Sequence, residues 1–237
     1  MMSLIEPAPA SPLQPFGRPP SAGAFAYASL REAILSLALP PGAVLSRAAL
    51  AAQLGLSQTP VREALMRLET EGLVEVVPSA STRVAPIDLT SARQAQFLRR
   101  AVELEMVQAL AAAPSATLGE TLAAQLARQA ALVAREDHAG LSAADDAFHE
   151  ALHEAAGISP LWALVRGRSG HLDRLRRLHL PAPGKAETIL REHEAIAAAI
   201  MAGDGAAAAA ALRRHLADTL GRAEALRAAQ PGHFTGE

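Results

Sequence analysis

Leu54-Gly55-Leu56-Ser57-Gln58-Thr59-Pro60-Val61-Arg62-Glu63-Ala64-Leu65-Met66-Arg67-Leu68-Glu69, followed by Glu71-Gly72-Leu73-Val74, decides how this chain is read. Gly55 supplies the left-handed residue that ends one helix, Ser57 or Thr59 can cap the next, and Pro60 fits a first turn. Burying Val61, Leu65 and Leu68 leaves Gln58, Thr59, Arg62 and Met66 outward near the N-terminal turn. Upstream, Ser46 can cap a short helix carrying Leu50 and Leu54 as an i, i+4 pair. Before it, Leu30, Ile34, Leu35 and Leu37 line one face of a helix from Phe25 that Pro40-Pro41-Gly42 stops. Beyond Gly72 the period becomes strand-like over residues 73–77 and 82–87, around a Pro78-Ser79-Ala80-Ser81 turn. Two short helices joined at a glycine and followed by a hairpin are the layout of a winged helix-turn-helix.

That layout has a chemistry. Arg62 can contact guanine bidentately or pair with phosphate, and Gln58 can read adenine. Thr59 or Ser57 can bond phosphate beside the positive end of the helix. Arg47 from the second helix and Arg83 from the wing would flank them. Over residues 1–87, however, Arg18, Arg31, Arg47, Arg62, Arg67 and Arg83 are matched by Glu6, Glu32, Glu63, Glu69, Glu71 and Glu75, and the whole chain carries a net charge of −2. DNA binding therefore requires the arginines to be concentrated on one face; otherwise they are ordinary solvated surface.

The rest of the chain reads as helix. Its 237 residues exceed the usual single-domain size, half are apolar, and only 3% are aromatic, which disfavours a sandwich or barrel. Segments near 91–112, 117–136, 142–156, 160–178, 186–202 and 206–228 share no repeat signature and predict a closed bundle. The expected organisation is a disordered, proline-rich tail over 1–22, a winged helix domain over 23–87, a linker over 88–90, a helical effector- and metal-binding domain over 91–228, and a tail over 229–237. With no cysteine, a metal must be held by histidine, carboxylate or water. With no apolar run of membrane-spanning length and no leader pattern, a cytoplasmic protein without membrane contact is expected.

Eight histidines beside a single lysine invite a search for ligand geometry. Asp145 and His149 are i, i+4 on one predicted helix. His193 precedes Asp204 by eleven positions and His215 follows it by eleven, so an antiparallel hairpin turning there sets both at one height. Three imidazoles and a carboxylate can hold a divalent ion with positions open to an effector carboxylate. Alternatively, Ser142-Ala143-Ala144-Asp145 is a capping box in which Asp145 bonds back to the helix start. His153, i+4 from His149, is a competing ligand, while His138, His171, His179 and His233 read as structural or exposed.

The run from Leu54 to Val74 closely resembles the recognition segment of GntR-type bacterial transcription regulators. The resemblance implies a winged helix that binds a palindromic double-stranded DNA operator as a homodimer. By position, Ser57, Gln58, Thr59, Pro60 and Arg62 line the DNA surface, with Arg47, Ser81 and Arg83 beside it. Three positions depart from the common pattern: Gln58 stands where Arg is usual, Arg47 where Glu is, and Ser81 where Gly is. The first exchanges a guanine-reading charge for an amide suited to adenine.

Asp145-Asp146-Ala147-Phe148-His149-Glu150-Ala151-Leu152, Ala156-Gly157, Glu192-His193-Glu194-Ala195-Ile196, Gly203-Asp204 and Arg214-His215-Leu216 are similar to the FCD domain of the FadR-like GntR branch. Together the two resemblances cover about residues 25–228. The second implies Asp145, His149, His193 and His215 as ligands of zinc, nickel or manganese. Arg99 falls in a helix similar to the branch's arginine-containing opening helix, with Arg100 the next candidate, and a guanidinium there can clamp a small hydroxy or sugar acid. An exposed Arg99 paired with Glu103 at i+4 is the plainer reading. The expected function is a metabolite-responsive transcriptional regulator, with repression as the expected sense. The rival is a metal-dependent hydrolase or oxidase on a helical bundle, for which neither Glu150 nor Glu194 stands out as a base.

Overall fold

The computed structural model describes residues 21–77 and 81–235. Residues 1–20 of the expected tail and residues 78–80 of the wing turn lie outside them. The chain is mainly helical, with an N-terminal winged helix and a C-terminal helical bundle.

The winged helix is built from α1 (Ala22–Leu35), α2 (Arg47–Leu54), α3 (Gln58–Thr70), β1 (Val74–Val77) and β2 (Ser81–Val84). Ser21 accepts from the Ala24 amide, which starts α1 three residues before Phe25. Gly55 closes α2 at φ 65, a backbone position costly for residues with a Cβ. The strands pair antiparallel, Val74 opposite Val84, and a bridge from Val44 to Arg83 ties the wing to the chain just before α2. Leu30, Ile34, Val61, Leu65, Leu68, Leu73 and Val84 form the core.

The bundle comprises α4 (Leu89–Ala112), α5 (Ala116–Val133), α6 (His138–Ala155), α7 (Ser159–Arg168), α8 (Gly170–His179), α9 (Lys185–Met201), α10 (Gly205–Gly221) and α11 (Ala223–Ala229). Its core is Met106, Val107, Leu122, Phe148, Leu152, Ile196, Ile200 and Leu212. α9 and α10 pack on each other around the turn capped by Asp204, which accepts from the Ala207 amide.

Several boundaries differ from the sequence reading. The helix expected over 160–178 breaks at Ser169, whose hydroxyl donates to Asp173, and the one over 206–228 breaks at Arg222. α6 begins at His138 because Asp137 caps it, so Asp145 sits mid-helix and the capping-box alternative fails. Residues 88–90 are no free linker: Asp88 caps α4 by accepting from the Thr90 and Ser91 amides. The expected tail after 228 is also anchored. Ile87 and Phe234, both buried, form a parallel bridge, the Ile87 amide donating to His233 and the Thr235 amide to Ile87. Burial of that aromatic ring and the two backbone bonds to Ile87 together offset the ordering of these terminal residues.

The connector is gripped from α8. Buried Arg174 donates to the carbonyls of Ala85 at 2.6 Å and Pro86 at 3.3 Å, and His171 Nδ1 accepts from the Asp88 amide. Gly170 permits this approach, since a Cβ there would stand 2.6 Å from a methyl of fully buried Leu73.

Candidate metal centre and nucleic-acid interface

Ser57, Gln58 and Thr59 are exposed at the start of α3, with Pro60 partly buried in its first turn. Ser57 occupies the N-cap but makes no side-chain capping bond, which leaves its hydroxyl available beside the unsatisfied amides of the helix end. Arg62, Arg47 and Arg83 are exposed. Arg83 donates to Ser81 Oγ at 2.8 Å, so the two wing residues act as one polar unit. The arginines facing the protein are used otherwise: Arg31 pairs with Glu71, and Arg67 lies 3.7 Å over the Tyr27 ring.

In the bundle, α6 brings Asp145 and His149, α9 brings His193 and α10 brings His215 to one point, all buried. His215 Nε2 lies 3.1 Å from His149 Nε2 and 3.2 Å from His193 Nε2. Asp145 Oδ1 stands 3.5 Å from His193 Nε2 and 3.7 Å from His215 Nε2. Atoms ligating one ion at about 2.1 Å lie roughly 3.0–3.4 Å apart between right-angle and tetrahedral geometry, which the nitrogen spacings match.

The outer ring nitrogens sharpen this fit. His149 Nδ1 is 2.8 Å from Glu103 Oε2, His193 Nδ1 is 2.7 Å from Gln129 Oε1, and His215 Nδ1 is 3.2 Å from Glu192 Oε2. The Nδ1 atoms of His193 and His215 thus each have a hydrogen-bonded oxygen that the ring proton can meet, while His149 Nδ1 lies beside Glu103 in an ion-pair contact without a directed hydrogen bond; with the protons on Nδ1, three Nε2 lone pairs converge. Asp145 Oδ1 is buried without a hydrogen-bond partner. A divalent cation answers both features at once. Burial pushes His193 and His215 well below the usual imidazole range, which favours the neutral, metal-binding form. Burial alone would raise Asp145, but the charge of Arg176 holds it far below the carboxylate range.

A cavity opens on this cluster between α4, α6, α8, α9 and α10. Arg99, Arg176, Lys185, Gln96, Ser142 and Thr219 give it polar walls, Leu141, Leu172 and Ile189 apolar ones, and Asp145 and His215 reach it. Arg99 pairs with Glu103 at 2.7 Å as its spacing allows, but it is buried, and its Nη2 has no partner. Arg100 is exposed and does not line the cavity. His153 is turned away: its Nδ1 bonds the His149 carbonyl and its ring packs on Trp162.

Sequence reasoning missed Arg176, Lys185, Gln129 and Glu192. Arg176 hydrogen-bonds Asp145 Oδ2, and Lys185 pairs with Asp218 at 2.7 Å. One signal was present: Glu192 immediately precedes His193 and lies near the level of its hairpin partner His215. Nothing local marks Gln129 on α5.

Comparison with known proteins agrees with this fold. Residues 23–84 match the model of bacterial regulatory proteins of the gntR family, and residues 94–218 match the FCD domain. An HTH-type transcriptional regulator from an unstable DNA locus of Streptomyces ambofaciens is 39% identical over 209 residues, 88% of this chain and 87% of the relative. The transcriptional repressor RspR of Escherichia coli K12 is 27% identical over 80% of this chain and 83% of its own length. Among solved structures, Escherichia coli McbR/YncC shares the fold with a TM-score of 0.73 at 22% identity, over 89% of this chain and 99% of its own. A GntR-type regulator from Rhodococcus sp. RHA1 gives a TM-score of 0.73 at 25% identity, over 86% and 98%.

Proposed function

Because the chain belongs to the GntR family of bacterial regulatory proteins and carries an FCD domain, a DNA-binding transcriptional regulator and not an enzyme, we propose that it is a metal-dependent sensor of a small carboxylate. The hydrolase and oxidase reading falls with family membership. Asp145, His149, His193 and His215 would hold one divalent ion, zinc, nickel or manganese, whose chemistry is to attract an oxygen of the ligand. Arg99 clamps the ligand's carboxylate. The observation that carries this reading is its partnerless Nη2 in a cavity shared with two of the four ligands. Leucine and isoleucine walls suit a short carbon chain, and the polar rim suits hydroxyl groups.

On the DNA side, α3 presents Ser57, Gln58, Thr59 and Arg62 to a major groove, with Arg47 and the Ser81–Arg83 pair on flanking phosphates. A palindromic operator calls for a homodimer, and Phe97 on α4, 77% exposed, is a single apolar side chain that a second copy can cover. Repression is the sense expected from the relative named a repressor. Such a regulator works in the cytoplasm; among the described residues no helix is long and apolar enough to cross a membrane.

The test is calorimetric titration of hydroxy and sugar acids into metal-loaded protein, with and without operator DNA. An effector must change operator affinity, and operator must change effector affinity, by the same factor, typically about 5- to 150-fold. Arg99→Ala should weaken acid binding and leave metal content intact. Equal binding by that variant removes Arg99 from the clamp. An operator affinity that no acid moves in any metal state removes the sensor.

A further inference from the structure

Asp145 and Asp146 are adjacent on α6 and face different partners. Asp145 turns to the three imidazoles, while Asp146 turns to the α7–α8 break. Arg176 on α8 reaches both: it hydrogen-bonds Asp145 Oδ2, the oxygen away from His193 and His215, and lies 3.5 Å from Asp146 and 3.6 Å from Asp173. The same two outer carboxylates are shared by Arg166 of α7, at 3.0 Å from Asp146 and 2.9 Å from Asp173. The Arg166 carbonyl then accepts from Arg31 Nη2 at 2.6 Å, which crosses into the winged helix. Arg31 Nε pairs with Glu71 at 3.0 Å, and Tyr27 donates to the other oxygen of that carboxylate. Glu71 is the C-cap of α3, the helix whose other end carries Ser57, Gln58 and Arg62.

We infer that Arg176, Asp146, Asp173, Arg166 and Arg31 are positioning residues that carry the state of the metal centre to the C-terminal end of the recognition helix. This rests on the metal reading above. Three guanidiniums serve four carboxylates in this chain of contacts, Asp145, Asp146, Asp173 and Glu71. Without an ion, Arg176 is the principal counter-charge of Asp145. Arg176 would be freed from that role by positive charge held at Asp145 Oδ1, and would then compete with Arg166 for Asp146 and Asp173. Arg166 lies in the last turn of α7, so its shift moves the carbonyl that holds Arg31, and Arg31 holds Glu71. The grip of Arg174 and His171 on residues 85–88 does not pass through these carboxylates and keeps the domains joined in either state.

The readout is hydrogen exchange at the amides of Glu71, Gly72 and Leu73, which bond the carbonyls of Arg67, Glu69 and Leu68. The full chain is stripped with a chelator and reloaded with Zn2+ alone. Amides of Leu50 and Ala51, buried on α2 outside this chain of contacts, correct for a global change in stability. In wild type, Zn2+ should change exchange at residues 71–73 by at least about fivefold relative to α2, the low end of ordinary coupling. In Asp146→Asn and in the conservative Arg31→Lys the change should fall within about twofold, while Zn2+ stoichiometry stays that of wild type. The double variant should behave like either single one, as members of one chain do. Zn2+ binding with residues 71–73 unmoved in wild type, or moved equally in both variants, overturns the relay alone. Failure of wild type to bind Zn2+ overturns the metal reading and the relay with it.

Discussion

Gln129 on α5 is fully buried, with Nε2 donating to the Ala144 carbonyl and Oε1 2.7 Å from His193 Nδ1. It touches no ligand-free space, yet it fixes which His193 nitrogen faces the cluster. Gln129→Leu should lower Zn2+ affinity about 10- to 100-fold, the usual cost of losing a partner behind a ligating histidine. Competition against a chromophoric chelator measures this, and unchanged affinity would show that His193 needs no such partner. The four convergent residues were legible because i, i+4 spacing and equal distances from the Gly203-Asp204-Gly205 turn are local facts. Gln129 was not, since helical pairing across α5 and α9 has no trace in spacing. His171 belongs to the same scale. Burial, aided by Arg174 and opposed by Asp88, pushes its imidazole down to about 4. The unfolded chain takes up a proton near pH 6.5 that the folded chain refuses until about pH 4. Stability should therefore fall as pH drops through that window, by about 3 kcal/mol at most from this residue. His171→Gln keeps an acceptor for the Asp88 amide without titrating. Denaturant melts of both proteins between pH 4 and 7 should diverge toward acid; parallel curves would contradict the assignment.

Among the elements, the order of the winged helix was legible, because Ser46, Gly55, Pro60 and Gly72 punctuate it with caps and turns, although Leu37 falls beyond α1 at φ 64 and the second strand ends at Val84 and not at residue 87. In the bundle the existence of helices was clear and their ends were not. Gly167 and Gly170 flank Ser169 and Gly221 precedes Arg222, but with no proline beside them these glycines read as tolerated helix positions, and the start of α6 depended on Asp137 outcompeting Ser142 as a cap. The C-terminal segment was misread as a tail, since one phenylalanine among polar residues has no period. Its burial against Ile87, Leu172 and Leu175 is a tertiary fact. A chain ending at Gln230 should lose about 2–3 kcal/mol through the uncovered ring and two backbone bonds. Thermal unfolding checks it, and a melting point equal to that of the full chain would mean that Ile87 is covered in some other way.

For the whole molecule, two features join the winged helix to the helical bundle: the structural grip of α8 on residues 85–88 and the arginine–carboxylate chain from Asp145 to Glu71. Both depend on the short helices α7 and α8 of the bundle, whose Arg166 and Arg174 contact the winged helix and the chain that follows it. The family pattern indicated two modules but not this contact, which arises from residues more than eighty positions apart. Everything proposed for the sensor begins with an ion at Asp145, His149, His193 and His215. The measurement that tests it most directly is elemental analysis of protein purified without an affinity tag. The wild-type chain should carry about one divalent ion, and His193→Ala with His215→Ala should carry none while remaining folded by circular dichroism. An unchanged metal content in that double variant, or a metal-free wild type that takes up no zinc, nickel or manganese on reloading, would contradict the account.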